Sequence, residues 1–317
     1  VSTTMGALIL SCVFLLGFPG NLFVIWSILA RAKRHSVTTL IILNLAIADG
    51  SLMALTPFFI VYLVSKDWPF GLAMCKILFY LCLLNMYASI QLIMLMSVYR
   101  MLAVLWPQRV TRFSGRKTVT RVVVVVWALM MVASIPAIVF RRVGKKNNSN
   151  KMVCDSVHAG DDQSQRQTVT TLELILGFLI PYGVIVFCYI RILRRIRQTR
   201  FGRRIRSENL ILAIVVMFCI FWLPYHIINM VQEKHYSCHG GLDKIWQSSR
   251  VVTSSIAFFS SSANPVLYFF AGKSYIRREG MAFMARLFEG AGLDSMSRKS
   301  RQNSQNSRDR DKEAEVI

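Results

Sequence analysis

The chain of 317 residues is 54% hydrophobic and only 17% charged, and its mean hydropathy is +0.45. Soluble domains carry roughly a quarter charged residues, so this composition excludes an ordinary soluble protein and predicts a membrane protein. The formal net charge of +22 does not indicate a nucleic-acid partner here, because the basic residues cluster in short segments between apolar runs.

Seven apolar stretches follow one another along the chain, each long enough to cross a bilayer as a helix. They lie at about 5–30, 38–64, 72–103, 118–140, 168–192, 208–232 and 248–271. Three connecting segments on one side are basic, and the last of them, 191–206, holds eight arginines and no acid. By the positive-inside rule these segments are cytoplasmic and the N-terminus is extracellular. The fold class predicted is an all-α membrane protein, a seven-transmembrane helix bundle over residues 1–272.

The remaining segments fit this topology. The outer loop at 141–167 contains the sequon Asn147-Asn148-Ser149, which predicts glycosylation at Asn147 on the extracellular face. Residues 273–289 mix basic and apolar side chains and predict a short amphipathic helix on the cytoplasmic leaflet. Residues 290–317 predict a disordered cytoplasmic tail, whose serines among arginines are either phosphorylation sites or solvated surface. No signal peptide is visible, so we expect that the natural N-terminus has been trimmed.

The third stretch carries polar groups at selected depths. Cys75 lies near its outer end, Ser89 in its interior and Arg100 near its inner end. At about 1.5 Å of rise per residue, Cys75 and Arg100 are roughly 37 Å apart, on opposite sides of a membrane. Ser89 then falls near mid-depth, where a hydroxyl needs a partner.

Polar residues also occur inside other spans, where each is costly and therefore indicates function. Those able to converge are Asn21, Asp49, Ser89, Ser260, Ser261 and Asn264. An acid surrounded by hydroxyls and amides suits a hard cation such as sodium. The alternative is a water-filled polar network that only holds helices together. The chemistry alone favours neither.

In the sixth stretch Trp222, Tyr225, His226 and Asn229 share one helix face, beside a kink expected at Pro224. This aromatic face either lines a cavity or packs against neighbours, and without further context packing is favoured.

Three ionisable residues, Arg141, Glu173 and Arg250, lie near outer span ends. If they face one cavity, Glu173 pairs with only one arginine, and the surplus positive charge favours an anionic ligand. Snorkelling to lipid headgroups would explain each arginine separately, but it does not explain Glu173.

One characteristic motif falls in each span. These motifs are Asn21 in GNLFV, Asp49 in NLAIAD, Arg100, Trp127, Pro181, Trp222-Leu-Pro224 and Asn264-Pro265-Val-Leu-Tyr268. As a set they resemble the rhodopsin-like (class A) G-protein-coupled receptors across all seven spans. Within that class the chain is similar to the leukotriene B4 receptors, with details that lean to the low-affinity branch. The segments that carry this similarity are IADGSLMALTPFF, DWPFGLAMCK, NMYAS, FWLPYHIIN, AFFSSSANPVLY and RLFEGAG.

The resemblance implies roles for particular residues. It implies a disulfide between Cys75 and Cys154. Cys12, Cys82, Cys188 and Cys219 sit within apolar spans and are expected to be free thiols, and Cys238 is either free or paired with the missing N-terminus. The implied sodium pocket consists of Asp49, Ser89, Ser260 and Asn264. Apart from this allosteric sodium ion, no cofactor is expected. The implied activation switch consists of Ile90, Tyr99, Arg100, Pro181, Tyr189, Phe218, Trp222, Pro265 and Tyr268. The implied ligand site consists of Arg141, Glu173 and Arg250 with Tyr87, Trp222, Tyr225, His226 and Asn229 below.

The function implied is that of a plasma-membrane receptor for a hydroxylated fatty-acid lipid mediator, not an enzyme. The partners implied are a heterotrimeric G protein of the inhibitory type, arrestin and receptor kinases acting on the tail, and membrane lipids. The alternative is a receptor of the same fold for another ligand, such as a chemotactic peptide. A transporter is disfavoured because no long internal repeat is evident, and a retinal protein because 251–271 contains no lysine.

One departure from the class affects the switch. Most members have an acid before the inner arginine, whereas the order here is Val98-Tyr99-Arg100-Met101. Tyr99 cannot form the carboxylate pair that holds the arginine at rest, so signalling without ligand is in question.

Overall fold

The computed structural model describes residues 2–31, 37–108, 116–145, 150–156, 163–198, 205–235 and 243–266. Several predictions fall outside these ranges and concern Asn147, Cys238, Tyr268, the helix at 273–289 and the tail at 290–317. The side chain of Phe218 also lies outside the described set.

Helices dominate the described ranges. They are α1 (Ser2–Arg31), α2 (Val37–Ser65), α3 (Gly71–Leu105), α4 (Arg116–Ala133), α5 (Ile135–Val139), α6 (Gln163–Leu174), α7 (Ile180–Gln198), α8 (Ile205–His235) and α9 (Asp243–Ala257). After a turn at Phe258 the chain is helical again to Val266. A single turn of π-helix, Ile175–Leu179, joins α6 to α7 and is called the π-turn below.

Within the described ranges, five helical segments are long and apolar enough to cross a membrane. They are Thr3–Ala30, Val37–Ser65, Gly71–Leu105, Lys117–Val139 and Thr168–Arg195. These segments match the first five predicted stretches closely at both ends. A shorter apolar segment, Cys219–Val231, lies inside α8, where the sixth stretch was predicted.

The fourth span, Lys117–Val139, agrees with the prediction for 118–140, but it contains a break that the sequence analysis did not predict. It divides at Ser134, whose backbone N–H and hydroxyl both donate to the carbonyl of Met130, at 3.0 and 2.8 Å. The cause is Pro136, which lacks an N–H and whose ring clashes with the carbonyl four residues earlier.

An antiparallel hairpin, which the sequence did not predict, covers the outer end of the bundle. Its strands are β1 (Arg141–Lys145) and β2 (Met152–Ser156), and Val143 pairs with Cys154. Cys154 forms the predicted disulfide with Cys75 of α3, and the four cysteines predicted to be free are free. The disulfide therefore fixes the hairpin over the outer end of α3.

The core surrounds α3, which contacts α2, α4, α5, α7, α8 and β1. Apolar side chains from these helices form its centre. The largest cluster includes Ile41, Leu45, Met86, Tyr87, Ile90, Leu92, Ile93, Phe178, Ile185 and Trp222. The positions of α1, α2, α3 and the helix after Phe258 bring polar residues of four spans together.

Candidate functional site

The outer half of the bundle contains a cluster of charged and phenolic groups. Glu173 of α6 accepts a hydrogen bond from the Tyr225 hydroxyl, and Asn229 is hydrogen-bonded to the same tyrosine. Arg250 of α9 and Arg141 of β1 both lie close enough to Glu173 for electrostatic interaction. The structure thus brings together the three ionisable residues that the sequence singled out.

Arg141 is held on an aromatic surface. Its guanidinium carbon lies 3.7 Å from the ring centroid of Phe79, a cation–π contact. Burial, together with the nearby Arg250, lowers the pKa of Arg141 to about 10. The group therefore remains charged at neutral pH, although a second cation beside it raises its electrostatic energy. An anion between the two arginines would relieve that repulsion.

Glu173 does not neutralise this surplus. One carboxylate meets two guanidinium groups, so the three residues keep a formal charge of +1 if all are ionised. The carboxylate oxygen Oε1 is buried and has no hydrogen-bond partner among the described residues. The cluster thus offers a positive charge together with a vacant acceptor, which suits a ligand that carries both an acid and a hydroxyl.

Aromatic side chains form the floor of this cluster. His226 is 3% exposed, and its ring lies 5.4 Å from Phe178, 5.3 Å from Tyr225 and 6.3 Å from Trp222, measured between centroids. Its Nε2 atom is buried without a partner among the described residues. The face predicted in the sixth span is therefore packed and also borders the charged cluster, so the two interpretations are not exclusive.

Below the floor, Asp49 lies in a fully buried polar cluster. Its Oδ1 accepts hydrogen bonds from the Ser89 hydroxyl at 2.9 Å and from Asn85 Nδ2 at 3.5 Å. Its Oδ2 accepts one from Asn264 Nδ2 at 2.8 Å. The polar residues predicted to converge at this depth do converge.

The serine that lies beside Asp49 is not the one that the resemblance implied. Of the two adjacent serines, Ser261 is the one that faces Asp49, and its hydroxyl donates to Asn85 Oδ1 at 3.4 Å. The Ser260 hydroxyl instead accepts the indole N–H of Trp222 at 2.9 Å. Asn85, which sequence reasoning missed, contacts both Asp49 and the Ser261 hydroxyl. The sequence does contain a sign of this role, because Asn85 lies one helical turn before Ser89 and therefore on the same face of α3.

The donor set fits a sodium ion. Asp49 supplies a carboxylate, and Ser89 and Ser261 supply hydroxyl oxygens, all hard ligands. Asn21 donates to the Ser261 carbonyl at 3.1 Å, while its own Oδ1 is buried without a partner among the described residues. A sodium ion here would compensate the buried carboxylate.

The residues of the implied activation switch are dispersed along the bundle. Ile90, Pro181 and Tyr189 are buried, and Pro265 is buried where the described chain approaches its end. Tyr99 and Arg100 are half-buried near the inner end of α3. Their switching roles remain predictions.

The sequence matches a known family and several characterised receptors. The family "7 transmembrane receptor (rhodopsin family)" matches residues 20–268. Human leukotriene B4 receptor 1 is 36% identical over 298 residues, 92% of this chain and 84% of the relative. Human leukotriene B4 receptor 2 is 36% identical over 301 residues, 92% of this chain and 82% of the relative. The C3a anaphylatoxin chemotactic receptor of Oncorhynchus mykiss is 34% identical over 285 residues, 88% of this chain and 76% of the relative.

The chain therefore belongs to the rhodopsin family of seven-transmembrane receptors: it is a G-protein-coupled receptor of the plasma membrane, not an enzyme. Its similarity to the leukotriene B4 receptors confirms the resemblance carried by the motifs. The percentage of identical residues does not show whether the chain is more similar to receptor 1 or to receptor 2, because both human receptors match at 36%.

Proposed function

We propose that the receptor binds a hydroxylated fatty acid, leukotriene B4 or a related eicosanoid, with its N-terminus outside the cell. The observation that carries this proposal is the surplus cation at Arg141, Glu173 and Arg250 above an aromatic floor. The carboxylate of the lipid pairs with an arginine, its hydroxyl meets Glu173 and Tyr225, and its chain packs against Tyr87 and the residues below.

Binding is coupled to an intracellular partner. A heterotrimeric G protein of the inhibitory type engages the cytoplasmic face, and arrestin and receptor kinases act through the tail. The sodium pocket centred on Asp49 stabilises the resting state, because an ion that must leave on activation opposes the agonist.

The direct test is displacement of radiolabelled leukotriene B4 from membranes that contain the full chain. Hydroxylated eicosanoid acids should displace the label completely, whereas saturated fatty acids of equal length should displace it weakly. Membranes without the receptor serve as the control, and the label that partitions into their bilayer is subtracted. Absence of saturable binding would contradict the lipid proposal.

A chemotactic peptide is the second candidate, and the match to a C3a anaphylatoxin chemotactic receptor favours it. A peptide would reach the exposed hairpin, whereas a lipid would bury itself below it. Replacement of the exposed Lys145 by glutamate should therefore weaken a peptide but leave the equilibrium affinity of the lipid almost unchanged.

A further inference from the structure

The π-turn leaves one backbone carbonyl without its usual donors. The N–H of Ile180 donates to the carbonyl of Ile175, five residues back, so it is not available to Leu176 as it would be in an α-helix. The π-helical donor to Leu176 would be residue 181, which is Pro181 and has no N–H. A bare carbonyl within a bilayer is costly, so the Leu176 oxygen requires a donor from another helix.

Helix α3 supplies that donor. The Gln91 side-chain amide donates to the Leu176 carbonyl at 3.1 Å, on the exposed side of the helix bundle. One turn earlier on α3, Tyr87 packs against Gly177: a Cβ added to Gly177 would lie 3.1 Å from Tyr87 Cε1 and 2.9 Å from Met86 Cε. The π-turn is thus held by a hydrogen bond at Leu176 and by close packing at Gly177.

The π-turn decides which side chain of α6 faces the ligand site. Glu173 and Phe178 are five residues apart, the spacing that aligns side chains across a π-turn. They contact consecutive residues of α8: Glu173 is hydrogen-bonded to Tyr225, and the Phe178 ring lies 5.4 Å from that of His226. In an uninterrupted α-helix the residue aligned with Phe178 would be Leu174, four positions earlier. The site would then present a leucine in place of its acid.

We propose that Gln91 and Gly177 are positioning residues that hold the π-turn and thereby place Glu173 in the ligand site. Neither residue touches the ligand. This inference deepens the proposed function, because it explains how the site acquires a hydroxyl-binding carboxylate. It does not depend on which ligand the receptor takes.

The test measures which residue of α6 faces the water-accessible site, with a charged, membrane-impermeant thiol reagent on intact cells. Two full-length chains are compared, Glu173→Cys and Leu174→Cys, both with Cys82→Ala to remove a nearby thiol. Adding Gln91→Leu should slow modification at position 173 and accelerate it at position 174. The ratio of the two rates should fall about fivefold, the shift in a two-state equilibrium expected from the loss of one net hydrogen bond. General loosening of the structure would instead accelerate both.

Two further variants are matched controls. Gln91→Glu should behave as the parent, since a glutamate that is protonated within the bilayer still donates to the Leu176 carbonyl. Deletion of Leu176 brings Glu173 to four residues before Phe178, the α-helical spacing, so the acid keeps its direction without a π-turn. In chains that lack Leu176, Gln91→Leu should therefore leave the ratio of the rates at positions 173 and 174 nearly unchanged, because the hydrogen bond that it removes is no longer needed.

The reciprocal change at positions 173 and 174, abolished by the deletion, would support the proposal. Unchanged rates in Gln91→Leu, or equal changes with and without Leu176, would overturn it. Gly177→Ala supplies the same comparison if Gln91→Leu does not reach the cell surface. Because the readout requires no ligand, a failure of the lipid proposal leaves this result unaffected.

Discussion

At the scale of single residues, Asp49 carries the clearest functional prediction. Its carboxylate is buried and accepts hydrogen bonds from two side chains of α3 and from Asn264 on the helix after Phe258. We expect agonist affinity to fall when sodium replaces a bulky organic cation at constant ionic strength, because bound sodium stabilises the resting state. The measurement is agonist displacement in the two salts.

Two variants sharpen this test. Asp49→Asn should abolish the dependence on sodium, since it removes the only negative charge described in the cluster. Ser51→Ala changes a hydroxyl of the same helix that bonds only locally, to the carbonyl of Ile47, and should retain the dependence. A wild-type receptor indifferent to sodium would mean that the cluster is a polar network.

The polar cluster also illustrates the limit of reading single residues from sequence. The convergence of Asp49, Ser89 and Asn264 followed from their positions within apolar spans. Ser260 and Ser261 are adjacent, however, and a helix turns by about 100° per residue, so only one of them faces Asp49. Their identities alone do not reveal which of the two it is, and that depends on how the helix is rotated by packing.

At the scale of elements, the outer hairpin depends on its covalent attachment. Besides the disulfide, Asp67 accepts the Met152 N–H at 2.6 Å and the Trp68 N–H donates to the Met152 carbonyl at 3.0 Å. These contacts join the two outer loops, but a single hydrogen bond contributes only about 0.5–1.5 kcal/mol of net stability. The Cys75–Cys154 bond is therefore expected to dominate.

We predict that Cys75→Ser reduces surface expression or ligand binding severely. A disulfide closing a loop of this length typically stabilises by about 2–5 kcal/mol, and Arg141 lies on β1, which pairs with the disulfide-bonded strand β2. Flow cytometry and saturation binding measure the two effects. Cys188→Ser alters a free, buried thiol and serves as control. Normal ligand binding in Cys75→Ser would show that the hairpin is held by its other contacts.

The helices themselves were predictable, whereas their irregularities were not. Length and hydropathy suffice to locate a span, and five predicted spans agree with the described helices at both ends. Each irregularity precedes a proline: Pro136 follows Ser134 by two residues, and Pro181 follows the last residue of the π-turn by two. A proline inside a span signals some disruption, but its form depends on donors such as Gln91 on another helix.

At the scale of the whole molecule, the residue before Arg100 bears on the resting equilibrium. Tyr99 carries no charge to hold the arginine, and the sequence ahead of α8 adds Arg203 and Arg204 on the same side of the membrane. A shift of about 1.4 kcal/mol raises a rare active population roughly tenfold. We therefore predict measurable signalling without ligand, read as basal second-messenger level at matched surface expression.

Substitutions give this prediction a direction. Tyr99→Asp should lower basal signalling, because the new carboxylate forms an ion pair with Arg100. Tyr99→Asn introduces a side chain of the same shape as aspartate without its charge and should not lower it. Glu208→Ala should raise it, because Glu208 is the acid nearest to this arginine cluster along the chain. Basal levels equal to those of mock cells would mean that another contact restrains Arg100.

The central claim is that the surplus cation beside Glu173 holds the carboxylate of a lipid. Leukotriene B4 and its methyl ester differ only in that charge, so their affinities are compared in Arg250→Gln, Arg141→Gln and the wild type. Arg142→Gln is the matched control, since Arg142 is the exposed neighbour of Arg141 on β1. A charge-assisted hydrogen bond is worth roughly 1.5–3 kcal/mol, or about 10- to 150-fold in affinity.

The decisive measurement is this ratio of acid to ester affinity. We predict that neutralising at least one of Arg250 and Arg141 weakens the acid by about tenfold or more and leaves the ester nearly unchanged, while Arg142→Gln alters neither. Equal losses for acid and ester in both arginine variants would contradict the claim, since the arginines would then support the structure without contacting the carboxylate.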